Sequence, residues 1–332
     1  MTGAAALAAA GRSGLLRPRR DIVLPAAIFL IFALLPPFAS LLAEQYLVDL
    51  ATRVMIFAVA AVALDLLVGY GGLVSFGHAA FVGLGAYAVG ILSAQGIDDA
   101  LISLPVAIAV AMLFAFVTGI VCLRTKGVYF IMITLAFGQM IYFVATSLAP
   151  YGGDNGLTIA ARNTVAGLAL LKSDRAFYYV TLLCLLATYL FCRALVASRF
   201  GRVLRGAKEN PARMVTIGFT VRSFQLVAYV IAGGLGGLSG FLLANSTEFV
   251  SPAFMSWQRS GELIVMVILG GVSTLDGAIV GAAAYLGAEE WLSRIIENWQ
   301  VVFGPLLVLV VLFARGGLIG LCSRLWRWFG HA

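Results

Sequence analysis

A series of long stretches in this chain carries no Asp, Glu, Lys or Arg: 22–43, 66–97, 100–123, 127–153, 176–192, 223–247 and 298–314. Most reach or approach the ~20 residues a helix needs to cross a ~30 Å hydrocarbon layer. They show no apolar/polar alternation and are too long for barrel strands, so only helices can satisfy their backbone groups in lipid. The chain is 62% apolar and only 11% charged, against the roughly 25% charge of a soluble domain, and its mean hydropathy is +1.02. These features predict an all-α, polytopic helical transmembrane protein of about 8–10 membrane segments, some interrupted or re-entrant.

The net charge of +7 invites a nucleic-acid reading, but its distribution argues against one. Of the 22 Lys and Arg, sixteen fall in four places: Arg12–Arg20, Arg124 with Lys126, Arg193–Arg222 and Arg315–Arg327. By the positive-inside rule these segments face the cytoplasm. The expected order is a basic cytoplasmic tail (1–21), a membrane domain (22–314) and a basic cytoplasmic tail (315–332). The first apolar run is too long for a signal-peptide core, so an uncleaved first span is expected, with the N-terminus inside. Cys122, Cys184, Cys192 and Cys322 have no metal-type spacing and read as small core residues.

Spans are expected at 22–43, 48–68, 72–93, 101–123, 128–148, 176–197 and 224–245, with the Pro36–Pro37 pair kinking or ending the first. Residues 149–175 form an outer loop rich in turn formers. The segment 262–287 is interrupted by Gly270, Gly271 and Gly277, with Asp276 among them. A single crossing there, followed by a last span at 300–314, leaves the basic C-terminus outside, whereas a broken hairpin returns it to the inside, which the positive-inside rule favours.

The inner loop 198–223 holds a miniature helix. Asn210 is a favoured N-cap, Pro211 suits the first helical turn and Gly218 suits the residue just past the end. About two turns do not hold alone, so tertiary contact with the spans or with a partner must support them. A lipid-facing basic loop is the plainer alternative, since anionic headgroups attract each cation by about 1 kcal/mol.

A second constellation runs from Gly69 to Tyr87. Ser75, Ala79 and Gly83 recur every four residues, a spacing that lets membrane helices approach closely, and Gly77 belongs to the same small-residue stretch. Gly233 with Gly237, and Gly236 with Gly240, repeat the ladder in the seventh span. His78 is an ionisable group on a span, which places it near a solute path or in a bond to a neighbouring helix. Thr134 and Gln139 add polar groups to the fifth span. Asp65 and Asp276 each cost on the order of 2.5–3.5 kcal/mol at mid-membrane and need partners, for which Arg53 and His78 are candidates.

No energy source is visible. The run Gly201 to Lys208 lacks the Gly-Lys-Ser/Thr ending of a phosphate loop and no strand precedes it. The glycine-rich runs are apolar spans, and two histidines leave little for metal chemistry. An ion-coupled transporter working alone and a membrane scaffold are the readings that need no partner ATPase.

Five ordered motifs carry a resemblance: GYGGLVSFGHAAFVGLGAY, RTKGVYFIMITLAFGQ, YGGDNGL, AKENPARMVTIGFTVRSFQLVAYVIAGGLGGLSG and MVILGGVSTLDGAIVGA. Together they resemble the permease subunit of branched-chain amino acid ABC importers, of the M type. The resemblance implies a non-catalytic bacterial inner-membrane subunit that binds no cofactor and sits in membrane lipid. It implies a paralogous permease partner, two cytoplasmic ATPases that bind the ATP, and a periplasmic binding protein delivering Leu, Ile or Val. Urea and short amides are substrates of other permeases in the family. Carried onto this chain, ATPase coupling falls on Glu209, Asn210, Ala212, Gly218 and Arg222. The pore signature falls on Ser75, Gly77, His78 and Phe81. Pro211 stands where a polar or acidic residue is common, and Ser273 replaces a usual glycine.

Overall fold

The computed structural model describes residues 20–41, 45–167, 170–295, 301, 303–305 and 316–320. The basic residues Arg12, Arg17 and Arg19, most of the expected span at 300–314, Cys322, and Arg315, Arg324 and Arg327 lie outside the described residues. Contacts divide the chain into two compact units, Met1–Val48 and Asp49–Ala332.

Within the first unit, α1 spans Arg20–Leu41 and contains Pro25, Pro36 and Pro37. The proline pair does not end the helix, as the sequence suggested it could. Membrane helices tolerate such prolines where neighbouring groups re-satisfy the freed backbone. Helix α2, Gln45–Asp65, straddles the division between the units.

The second unit is built around buried helices. From Met55 to Leu67 α2 and its continuation are almost wholly enclosed. At Leu66–Tyr70 the helix widens into a π turn, and residues 72–75 then run without regular structure. Helix α3 begins only at His78 and ends at Ala94. The third span is therefore shorter than the 72–93 read from hydropathy. An apolar run of uniform character hides a break that only the glycines around Gly69–Gly72 mark.

Helices α4 (Ala100–Cys122), α5 (Val128–Ser147) and α6 (Asp174–Ala197) follow. They leave large apolar side chains such as Leu113, Phe143 and Leu183 exposed, as lipid-facing spans do. The basic loop folds into α7 (Arg199–Glu209) and α8 (Pro211–Thr216), and α9 spans Val221–Thr247. Helices α10 (Trp257–Gly270) and α11 (Leu275–Ser293) form a pair bent by 116° at their break. Among the described residues, five helices are long and apolar enough to cross a membrane, with the bent pair and two shorter apolar helices, Val23–Ala39 and His78–Ala94, beside them.

Association of helices in lipid relies on close packing and hydrogen bonds rather than on water exclusion, and α9 supplies both. A Cβ on Gly237 would stand 2.7 Å from the Ala107 carbonyl of α4, and one on Gly233 would meet Ala115. Gly236 and Gly240 face the other way, onto Phe81 and the Val82 carbonyl of α3. The two glycine ladders thus serve two different neighbours. On α3, Gly85 makes the backbone approach to Gly237, whereas Gly83 faces the side chain of Met255. Ser239 Oγ donates to the Ile56 carbonyl of α2 at 2.9 Å, fully buried. Cys122 and Cys192 are buried and unpaired.

The described residues of the loop between α5 and α6 are held by polar ties. Leu157–Thr158 (β1) pairs antiparallel with Phe249–Val250 (β2). Asn163 donates from Nδ2 to Ser103 Oγ at 2.7 Å, and its backbone N–H donates to Asn245 Oδ1 at 2.9 Å. Arg162 pairs with Asp174 at 2.6 Å and lies over the Phe177 ring.

Candidate functional site

The basic loop folds into two capped helices. Helix α7 is amphipathic: Gly201, Val203, Leu204 and Ala207 are buried, Arg199, Arg202 and Glu209 are exposed, and Arg205 and Lys208, though exposed along their stems, turn their charged ends back onto the protein. Ser198 caps it, accepting from the Phe200 N–H at 3.1 Å. Gly201 permits a tight corner, since a Cβ there would strike the Val196 backbone. Arg205 Nη2 donates to the Val196 carbonyl at 2.8 Å, satisfying one of the last carbonyls of α6.

Helix α8 forms as its capping residues require. Asn210 Oδ1 accepts from the Arg213 N–H at 3.0 Å, and Pro211 occupies the first turn. At the far end Gly218 adopts φ +98°. The Gly218 N–H donates to the Val215 carbonyl at 2.9 Å and the Phe219 N–H to the Met214 carbonyl at 3.0 Å. That pair of bonds is a Schellman motif. Ala212, Glu209 and Arg222 are exposed, and so are Val215 and Ile217, each at 63%. An exposed apolar pair on an element that also exposes Arg202, Arg213 and Arg222 is a surface suited to a protein partner. Phe200, Phe219 and Phe224 stack at 5.6 and 6.1 Å, fastening the element to the start of α9.

Deeper in the unit, the start of α3 is buried among hydroxyls. The Phe76 N–H donates to Thr134 Oγ1 at 3.2 Å, the Gly77 N–H to Ser75 Oγ at 3.3 Å and the Ala79 N–H to Ser260 Oγ at 3.1 Å. These side chains satisfy helix-start donors that lipid could not. Gly77 lies so close to α5 that a Cβ would stand 2.6 Å from the Thr134 carbonyl. Phe81 meets His78 and Tyr229 edge to face, both at 5.5 Å, and Tyr229 interacts with the hydroxyls of Ser75 and Thr118.

The structure thus brings Ser75, Gly77, His78, Phe81 and Thr134 together and buries them all. Gln139 is not among them. It stands five residues beyond Thr134 on α5 and is half-exposed, while Gly138 takes the inward position against Gly77. The Ala60 backbone is the polar group that interacts with the His78 ring, short of a hydrogen bond of good geometry.

The two membrane carboxylates find partners other than Arg53 or His78. Asp65 Oδ1 accepts from the Ser273 N–H at 2.8 Å, and Asp276 interacts with Tyr189, which Arg193 also reaches. Arg53 instead faces Glu289 at 3.7 Å. Around Asp65 the bonds continue. Tyr70 Oη donates to the Ser273 carbonyl at 2.9 Å and Ser273 Oγ to the Gly69 carbonyl at 2.6 Å. Lys208 Nζ, from α7, donates to the same Gly69 carbonyl at 2.6 Å.

Sequence reasoning missed this node. One signal was available: Ser75, Ala80, Val82, Gly83, Ala86 and Tyr87 match Ser273, Ala278, Val280, Gly281, Ala284 and Tyr285 at a constant offset. Both segments turn irregularly and then enter a buried helix. Among the described residues no group of three or more His, Cys, Asp or Glu is placed to hold a metal ion.

The family model described as "Branched-chain amino acid transport system / permease component" matches residues 46–311. The chain is 26% identical to the high-affinity branched-chain amino acid transport system permease protein LivM of Escherichia coli K12, over 87% of this chain and 73% of that protein. It is 23% identical to a probable branched-chain amino acid transport permease protein LivM of Methanocaldococcus jannaschii, over 82% of this chain and 94% of the relative. It is 24% identical to LivH of Salmonella typhimurium, over 80% and 91% respectively. No solved structure matches.

Proposed function

The chain belongs to the branched-chain amino acid transport system / permease component family, whose members are membrane permeases and not enzymes, and from that premise we propose how it works. It is the M-type transmembrane subunit of an ABC importer for Leu, Ile and Val in a bacterial inner membrane, with its N-terminus and basic loop in the cytoplasm. A second, paralogous permease completes the conduit, two ATPases bind and hydrolyse ATP, and a periplasmic binding protein delivers the amino acid.

The observation that carries this reading is the double-capped α8, displayed with exposed Val215 and Ile217 on a scaffold tied to the spans. A two-turn helix does not hold alone, and its outward apolar residues suit contact with a protein. A lipid surface would attract the arginines but would not require so rigid a frame. Glu209, Asn210, Ala212, Gly218 and Arg222 form or flank the docked surface. The buried cluster of Ser75, His78, Phe81 and Thr134 belongs to the closed state of the conduit, which opens against the partner permease. Gln139 lies on the more open side of α5.

The test replaces Glu209 with Ala and Gly218 with Val in the complete importer and follows amino acid uptake with ATP hydrolysis. The double variant is expected to insert in the membrane, yet to lose ATPase binding and uptake. Wild-type uptake in that variant would refute the docking role.

A further inference from the structure

Three parts of the chain far apart in sequence meet at the carbonyl oxygen of Gly69. Lys208 Nζ reaches it from α7 at 2.6 Å, and Ser273 Oγ reaches it from the α10–α11 break at 2.6 Å. Lys208 also lies 3.4 Å from Ser273 Oγ. Its stem runs over Gly72, where a Cβ would stand 2.9 Å from Lys208 Cγ. The neighbouring Arg205 guanidinium sits 5.8 Å from the Tyr70 ring centre, and Tyr70 in turn bonds the Ser273 carbonyl. The Asp65 carboxylate, with no exposed surface, holds the Ser273 N–H from beneath.

Both membrane elements at this node have uncommon backbones. Leu66–Tyr70 is a π turn, a rare form that is frequent at functional sites. Ser273 has φ +68°, a conformation that a residue other than glycine holds only where its surroundings over-determine it. Helix α8 has no buried residue of its own, and its Met214 rests on Gly206 of α7. Motion imposed on α8 therefore passes first to α7, and from α7 the Lys208 side chain leads into the membrane.

We infer that Lys208 is the positioning residue that couples the basic loop to the conduit, by holding the π turn of α2 and the α10–α11 break in register through Gly69 and Ser273. The inference rests on the proposed ATPase-driven function and names the route by which the stroke travels. The motion goes to two broken helices at once, one on each side of the node. Movement of α7 by the length of a hydrogen bond releases the π turn and the break together, so both halves of the conduit respond to one event.

The test uses the complete importer, this chain with its second permease, ATPases and binding protein, reconstituted in proteoliposomes. Leucine uptake and ATP hydrolysis are measured on the same preparation. In Lys208→Met, leucine taken up per ATP hydrolysed is expected to fall about tenfold, the size of one lost charge-assisted hydrogen bond. Subunit assembly and hydrolysis are expected to persist. Lys208→Arg keeps a cationic donor and should recover most of the ratio. Combining Lys208→Met with Ser273→Ala should cost little more than either change alone, because the two act through one carbonyl.

An unchanged uptake-to-ATP ratio in Lys208→Met overturns the proposal. So does a loss of assembly in Lys208→Met with a normal ratio in Ser273→Ala, which would make Lys208 a folding residue. Failure of the broader reading looks different. The wild-type chain would then retain no ATPase at all, and the coupling role would fall with it.

Discussion

Ser273 holds its backbone at φ +68°, where a Cβ costs roughly 1–3 kcal/mol, and its hydroxyl donates to the Gly69 carbonyl at 2.6 Å. The strain and the bond are of similar size, since a buried hydrogen bond contributes about 1 kcal/mol net. Ser273→Gly should therefore leave the thermal midpoint of the purified protein nearly unchanged, because it removes both. Ser273→Ala keeps the strain and loses the bond, so it should be the least stable of the three. An alanine variant as stable as the wild type would show that the hydroxyl contributes nothing, and one more stable than the glycine variant that the positive φ carries no strain. At this scale the sequence revealed which residues were unusual but not which ones met. Asp65 stood out as a membrane carboxylate, yet its hydrogen-bond partner, Ser273, lies 208 residues further along the chain. Spacing carries no information across such distances. His78 was read as near a path or bonded to a helix. The structure places it in a closed aromatic and hydroxyl cluster with Phe81, Tyr229 and Ser75.

Elements were legible where local chemistry alone builds them. Asn210, Pro211 and Gly218 announced α8, and its caps formed as their side chains dictate. Asn210→Ala should cost that helix about 1 kcal/mol, seen as faster proteolysis of the loop 210–218 with the spans intact. Helix α7 is harder to see, because Gly201 and Gly206 interrupt a short basic run. Its alternation of buried Val203, Leu204 and Ala207 with exposed arginines was the helical signal. The break at 72–77 was hidden because hydropathy does not change where the helix stops. Glycine positions offer a sharper test of packing. Gly237→Leu would drive a side chain into the Ala107 carbonyl, 2.7 Å from where even a Cβ would stand, whereas Gly287 has nothing within 4 Å. Gly237→Leu should abolish recovery of folded protein, and Gly287→Leu should be tolerated. Equal yields would contradict the close approach of α9 to α4.

The whole molecule was read correctly as a helical membrane protein because charge-free length leaves few other choices in lipid. Gly270, Gly271 and Gly277 favour a broken hairpin over a single span at 262–287, and the structure has two helices there bent by 116°. The order of the loop after α5 was not visible in the sequence, because its ties run from Asn163 to Ser103 and Asn245, again across sequence distance. Asn163→Ala should loosen that loop and raise its protease sensitivity while leaving α7 and α8 unaffected. Unchanged cleavage between 149 and 172 would mean that these bonds do not hold it. The claim on which the mechanism depends is that this chain moves solute only when an ATPase acts on its basic loop. The direct measurement is leucine uptake by proteoliposomes holding either this chain alone or the full set of subunits with ATP on the loop side. The account predicts uptake only in the full set, stopped by a hydrolysis-deficient ATPase. Uptake by the chain alone, driven by an ion gradient, would contradict it.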